Sequence, residues 1–329
     1  MKRTIAIVAG GDSSEHDVSM RSARTILSFM DKERYNSYVV EMEGQRWLAH
    51  YEDGQYAIDR NDFSFTTPDG TRHTFDFAYI TIHGTPGENG ILQGYFDLIN
   101  LPYSTSDVLV ESLTFNKYAL NNFLRSFPSL HLSDSVLLRK GCPQPSADEI
   151  ISRLDLPCFV KPNAGGSSFG VTKVKSAEAL APAIEKAMHE SDEVMVEKIM
   201  VGTEITCGCF RGKSGVRTLP ITEVVTTQEF FDYDAKYNGK VNEITPARIA
   251  PETARRVSDM TAYIYNMLGC YGIIRIDYIL TGEKGNEQIN LLEINTTPGM
   301  TETSFIPQQV RAAGLDITEV LSEIIEGKF

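Results

Sequence analysis

The chain is short of positive charge. Its 31 lysines and arginines face 44 aspartates and glutamates, a net charge of −13, which argues against a nucleic-acid or anionic-membrane surface as its main business. An anionic ligand must then be held by a local cluster of cations. Metal-binding cysteine spacing is also missing, since the five cysteines form no CxxC and no Cys/His zinc pattern. Cys207 and Cys209, two apart in a strand-like run, read as buried thiols, and an odd count without a framework fits a reducing cytoplasm. Long apolar runs are absent. Ile5-Ala-Ile-Val-Ala9 behind Lys2-Arg3 is too short for a signal segment or a membrane span and reads as a first strand. There are no repeats and no low-complexity segments. No Gly-Lys-Ser/Thr opens a helix after a glycine-rich loop and no GxGxxG fingerprint occurs, which removes the commonest nucleotide motifs. What is there is a globular composition, 42% apolar and 23% charged over 329 residues, long enough for two or three domains.

Alternating strand and helix patterns open the chain: a strand over 4–9, a helix over 18–30, a strand near 38–41, a polar hairpin region over 44–75 and an apolar strand over 77–82. Glycines follow the first and last strands, at Gly10-Gly11 and His83-Gly84. That order predicts a parallel α/β domain to about residue 108, with ligands at the C-terminal ends of its strands. A helical run over 112–125 leads to a small α+β unit with strands near 158–161, 170–174 and 194–197 and a helix over 177–188. More strand pattern follows residue 203, interrupted by a helix over 252–268 and closed by one over 315–325.

The most informative segment is a pair of strands near the C-terminus, Arg275-Ile-Asp277 and Glu293-Ile-Asn295. Residues i and i+2 of a strand share a face, so Arg275 accompanies Asp277 and Glu293 accompanies Asn295. Ile274, Ile276, Leu292 and Ile294 are expected to point into a core. The turn 281–285 makes the two runs a hairpin. In register, one wall presents two carboxylates, an amide and a guanidinium. Two carboxylates about 5 Å apart repel by roughly 3 kcal/mol at an effective dielectric near 20. A bound cation removes that cost, and an all-oxygen set suits Mg²⁺ bridging to substrate phosphates.

Other segments carry weaker signals. Gly165-Gly-Ser-Ser168-Phe-Gly170 can turn backbone N–H groups and hydroxyls toward phosphate oxygens, or be a plain hairpin. Lys161, on an apolar strand, either snorkels out or meets an anion. Lys117 fits an ordinary solvated helix lysine. Glu197-Lys198 and Glu204 fit an adenine and ribose site or a charged turn equally. The aromatic stretch 230–239 suits a lid that excludes water, or a subunit contact.

Taken in order, these segments resemble the D-alanine–D-alanine ligases of the ATP-grasp superfamily. The motifs are Gly10-Gly-Asp-Ser-Ser-Glu15, His83-Gly-Thr-Pro-Gly-Glu88, Lys161-Pro162 with Gly166-Ser-Ser-Phe-Gly170, Tyr233-Asp-Ala-Lys236-Tyr237, Arg275-Ile-Asp277, and Glu293-Ile-Asn295 through Gly299 to Ser304. The resemblance implies a three-domain ATP-grasp fold over 1–108, 109–198 and 199–329, with ATP clamped between the last two. It implies ligation of two D-alanines through a D-alanyl phosphate, for peptidoglycan precursor synthesis. Lys117, Lys161, Ser168 and Lys236 would meet ATP phosphates, and Glu197, Lys198 and Glu204 the adenine and ribose. Asp277, Glu293 and Asn295 would carry two Mg²⁺ ions, with Mn²⁺ able to substitute. Arg275 and the Gly299 backbone would stabilise the oxyanion. Glu15 and His83 would hold the first D-alanine and Ser304 the second, while Glu15, Ser167 and Tyr237 would link substrate floor to lid. Relatives that make the D-alanyl-D-lactate ester carry phenylalanine at the place of Tyr237, so the tyrosine points to the dipeptide. A cytoplasmic homodimer acting on small molecules, without nucleic acid or membrane, completes the expectation. The rival readings are a ligase for D-serine or D-lactate, a nucleotide-binding regulator without catalysis, and a dinucleotide-dependent oxidoreductase.

Overall fold

The computed structural model describes residues 2–127, 129–166, 169–226 and 241–329. Three principal sheets organise them. The first has the order Gly54–Ala57, Arg46–Tyr51, Tyr35–Glu43, Arg3–Gly10, Phe77–Ile80. Tyr35–Glu43, Arg3–Gly10 and Phe77–Ile80 run parallel, with Ile5 opposite Ser37 and Phe77, and the hairpin on the other edge is antiparallel. Ile5, Ile7 and Ala9 pack on one side while Ala6 and Val8 pack on the other. A parallel sheet covered on both faces explains the unbroken apolar run that the sequence shows there. One covering layer includes the C-terminal helices Phe305–Ala312 and Ile317–Glu326, through Ile306, Val310, Leu321 and Ile324.

The second sheet is antiparallel, in the order Thr172–Val174, Cys158–Pro162, Glu193–Lys198, Ser135–Arg139. Cys158, Val160, Val194 and Val196 join the helices Ala147–Leu154 and Leu180–Glu190 in one core. Period-two alternation then sends Phe159, Lys161 and Glu197 to the opposite face.

The third sheet runs Val241–Ile244, Thr222–Thr226, Thr203–Gly212, Ile273–Thr281, Gln288–Asn295, with the short parallel strand His131–Leu132 on its edge. Helix Pro251–Leu268 covers one face, burying Ile205, Cys207, Ile274, Ile276 and Ile294 against Val257, Ile264 and Tyr265. Its proline at the first turn and Gly269 in the left-handed conformation at its end are ordinary start and stop signals.

Two expectations need correction. Leu292 is not a core residue. A bulge between Asp277 and Tyr278 leaves it without a cross-strand partner, so it is only partly buried and lines the cleft. Nor is 112–125 one helix. It is two, Val108–Phe115 and Lys117–Leu124, broken at Asn116, whose side chain caps the second by accepting from Ala119 N–H at 2.9 Å. Asparagine offers the backbone that alternative partner, and the break puts Lys117 at a helix start.

Candidate active site

The polar faces of the second and third sheets, and the C-terminal ends of the first sheet's strands, enclose one cleft of about 960 Å³. On the third sheet the register places Arg275 opposite Asn295 and Asp277 opposite Glu293, as the alternation predicts. Arg275 grips Asp277 with two bonds, Nε to Oδ1 at 2.9 Å and Nη2 to Oδ2 at 2.8 Å. The Asn295 amide donates to Oδ2 at 3.0 Å and the Thr206 hydroxyl to Oδ1 at 2.5 Å. The carboxylate repulsion expected from sequence is thus met partly by the protein's own guanidinium. Burial works against the charge of Arg275, yet Asp277, then Glu293 and Glu204, hold its pKa above the ordinary arginine value. The Phe305 ring, 5.1 Å from the guanidinium carbon, covers it.

Across the cleft, Lys161 is buried and meets an anion of the protein itself, Glu197, at 2.6 Å. Glu197 and Glu204 both lie on strands and line the cleft, so neither is a charged turn. Lys198 lines it too, while its ammonium reaches Asp155 at 2.8 Å. Lys117, at its helix start, donates to the Gly165 carbonyl at 2.7 Å and so ties the glycine turn to the cleft wall. Gly166 presses on Glu15. A Cβ there would come within 2.5 Å of the Glu15 carboxylate, so a side chain at this position would push that carboxylate aside.

Glu15 and His83 enter from the first sheet, both buried. Burial lowers the His83 pKa, against the raising effect of Glu15 and a hydrogen bond with the Thr297 backbone. Its Nε2 has no protein hydrogen-bond partner among the described residues. Glu88, in the crevice but missed as a site residue, is pushed up to about 7 by burial, against the Gly84 N–H that donates to it at 2.6 Å, and with the charge of Glu15 adding to the rise. A carboxyl whose folded pKa lies above its unfolded one favours the native state below the unfolded value and loses that contribution as pH rises through the folded value. Glu88→Gln, which mimics the protonated acid, should match wild type near pH 4.5 and gain in melting temperature relative to it up to about pH 7. Thermal denaturation across that range checks it, and parallel curves for the two proteins would refute it.

Ser304 precedes helix Phe305–Ala312 at its N-terminal cap position, and its hydroxyl shares a hydrogen bond with the Thr301 hydroxyl at 2.7 Å instead of capping the helix. A Cβ on Gly299 would sit 3.0 Å from the Ser304 hydroxyl. The structure therefore gathers Glu15, His83, Lys117, Lys161, Glu197, Lys198, Glu204, Arg275, Asp277, Glu293, Asn295, Gly299 and Ser304 around one cleft. Ser167, Ser168, Lys236 and Tyr237 lie outside the described residues. Sequence reasoning also missed Thr206 and Glu111. The second is a fully buried carboxyl on helix Val108–Phe115, and one acid in an otherwise apolar turn was its only signal.

Such a cleft can clamp a polyanion between cations on facing sheets and place a small zwitterion between Glu15, His83 and Arg275. Family models agree with that chemistry. Residues 4–106 match the D-ala D-ala ligase N-terminus and residues 133–326 the D-ala D-ala ligase C-terminus. A D-alanine--D-alanine ligase of Phocaeicola vulgatus is 63% identical over 330 residues, covering 100% of both chains. Among solved structures, the VanG D-Ala:D-Ser ligase from Enterococcus faecalis superposes with a TM-score of 0.86 at 28% identity, over 99% of each chain. The D-alanine--D-alanine ligase from Bacillus anthracis complexed with ATP does so with a TM-score of 0.77 at 27% identity, over 98% of this chain and 96% of that one. The chain belongs to the D-alanine–D-alanine ligase family, with its ATP-grasp fold.

Proposed function

We propose that this protein joins two molecules of D-alanine at the expense of ATP, through a D-alanyl phosphate, to give D-alanyl-D-alanine for peptidoglycan. The observation that carries the reading is the in-register wall of Arg275, Asp277, Glu293 and Asn295 facing Lys161 and Glu197 across one cleft. Lys117 and Lys161, with Ser168 and Lys236, hold the phosphates. Glu197, Lys198 and Glu204 serve the adenine and ribose. Glu15 takes the first ammonium, and His83, with its unpartnered Nε2, meets the first carboxylate. Arg275 and the Gly299 backbone N–H take the charge that develops on the tetrahedral oxygen. Ser304, at a helix start, receives the second carboxylate. Glu15, Ser167 and Tyr237 connect the substrate floor to the lid.

Two carboxylates and an amide oxygen make a hard donor set too small to fill an octahedral shell. That fits Mg²⁺, which keeps substrate phosphate oxygens and waters as its remaining ligands, and Mn²⁺ in its place. Asp277, Glu293 and Asn295 would hold two such ions, which when bound neutralise charge on the transferring phosphoryl group.

Domain boundaries near 108 and 198 fit the sheets, since the first ends at Ile80 and the third's principal strands begin at Thr203. The protein is cytoplasmic, where its ATP is supplied; among the described residues no helix is long and apolar enough to cross a membrane. It is a homodimer. Helix Ile91–Leu98 exposes Ile91 and Leu98, 63% and 84% accessible and seven residues apart, next to a helix that exposes Leu109. A double change, Leu98→Glu with Leu109→Glu, should halve the mass seen by sedimentation equilibrium; an unchanged mass would place the interface elsewhere.

A D-serine acceptor is the second reading, favoured by the likeness to VanG. Incubation with ATP, Mg²⁺ and equal D-alanine, D-serine and D-lactate, with products resolved by mass, separates the two. Predominant D-alanyl-D-alanine supports the first reading, and a predominant mixed product replaces it with the second.

A further inference from the structure

We infer that Glu111 is a positioning residue for the D-alanine end of the cleft, its buried carboxyl anchoring the turn from Thr296 to Gly299 so that His83, Gly299 and Ser304 meet the substrates in register. The inference rests on the ligase reading above. Glu111 is 0% exposed. One of its oxygens accepts the Ser106 N–H at 3.0 Å, and the other accepts the Thr296 hydroxyl at 2.5 Å. Ser106 is itself held, since its hydroxyl accepts from Tyr271 N–H at 3.1 Å. The acid therefore joins the end of the first α/β region to a residue 185 positions away.

Thr296 directly follows Asn295. Its neighbour Thr297 donates a hydroxyl bond to the Ile82 carbonyl at 3.1 Å, one residue before His83, and its backbone is hydrogen-bonded to His83. Two residues further on, Gly299 abuts Ser304. Glu111 thus fixes, from behind and at its first residue, the turn that joins these substrate-facing groups.

Stability gives no reason for an acid here. Burial disfavours the ionised carboxyl and pushes its pKa well above the ordinary carboxylate value, and a well-packed apolar side chain of similar volume is often as stable or more so. What the apolar residue cannot supply is direction. One hydrogen bond from the Ser106 N–H and one from the Thr296 hydroxyl fix where the turn sits, and misplacing a binding group by an ångström is costly.

Steady-state kinetics on the full chain test this, beginning with wild type. D-Alanine-dependent phosphate release in wild type must be seen first; its absence overturns the ligase reading itself. Glu111→Leu should then raise the KM for D-alanine at least about tenfold, the scale of a buried hydrogen bond to an acid, with the KM for ATP moving less than about twofold. Glu111→Gln keeps an acceptor for Ser106 and can donate to the Thr296 oxygen, so it should restore the KM for D-alanine to within about threefold. Thr296→Val cuts the tie from the other side and should repeat the leucine pattern, which keeps the test alive if Glu111→Leu fails to fold. An active wild type whose folded variants leave the KM for D-alanine unchanged, or raise it no more than that for ATP, overturns the role of Glu111.

Discussion

Arg275→Gln is expected to lower kcat at least about a hundredfold, the scale measured when one preorganised oxyanion donor is removed. Two effects add. The guanidinium is covered by Phe305 and its side chain is only 14% exposed, so a fixed positive charge acts there with reduced solvent screening. It also supplies two of the four hydrogen bonds that seat Asp277, so its loss leaves that carboxylate on Thr206 and Asn295 alone. Lysine should not rescue it, because a single ammonium cannot span both carboxylate oxygens as the planar fork does. Comparing kcat for Arg275→Gln and Arg275→Lys by dipeptide formation checks this. A lysine variant at wild-type speed would show that charge alone suffices and that the two-pronged geometry is incidental.

Glu293→Gln should lower turnover by at least about tenfold, equivalent to roughly 1.4 kcal/mol of barrier, and raise the Mg²⁺ concentration needed for half-maximal rate. The substitution keeps the shape of the side chain and its place opposite Asp277, and removes one of the two carboxylate charges on that wall. A glutamine amide is a poorer ligand for a hard cation than a carboxylate. Titrating Mg²⁺ against initial rate separates this from a packing defect, which would depress the rate equally at every Mg²⁺ concentration. A near-wild-type rate throughout would place the metal elsewhere.

The wall that both predictions address was readable in the chain because strand periodicity is local. Arg275, Asp277, Glu293 and Asn295 need only a period of two and a hairpin to share a face, and the sheet supplies both. Leu292 was misread for the same reason. One bulge shifts the phase of the alternation, and no local signal announces it. The break at Asn116 hides inside a good helical pattern, since only the cap geometry separates it from a helix that runs on. Helix Phe305–Ala312 was overlooked although it brings Ser304 to the cleft; Pro307 is tolerated within its first turn, where its missing N–H costs nothing. Lys161 could be read as buried beside an anion, but its partner Glu197 lies 36 residues on, and pairing across strands is set by the fold. Glu111 is the extreme case. Both its burial and its tie to Thr296 arise only when distant parts of the chain meet.

The central claim is that one wall serves phosphoryl transfer to a carboxylate and then acyl transfer to an amine. The path of the carboxylate oxygen tests it most directly. With D-alanine labelled by ¹⁸O in both carboxyl oxygens, attack on the γ-phosphate followed by cleavage of the acyl C–O bond carries one labelled oxygen into the released phosphate. Mass analysis of phosphate and dipeptide should therefore show one ¹⁸O per phosphate and one phosphate per dipeptide. Unlabelled phosphate accompanying dipeptide would mean that no D-alanyl phosphate forms, and the account would be wrong.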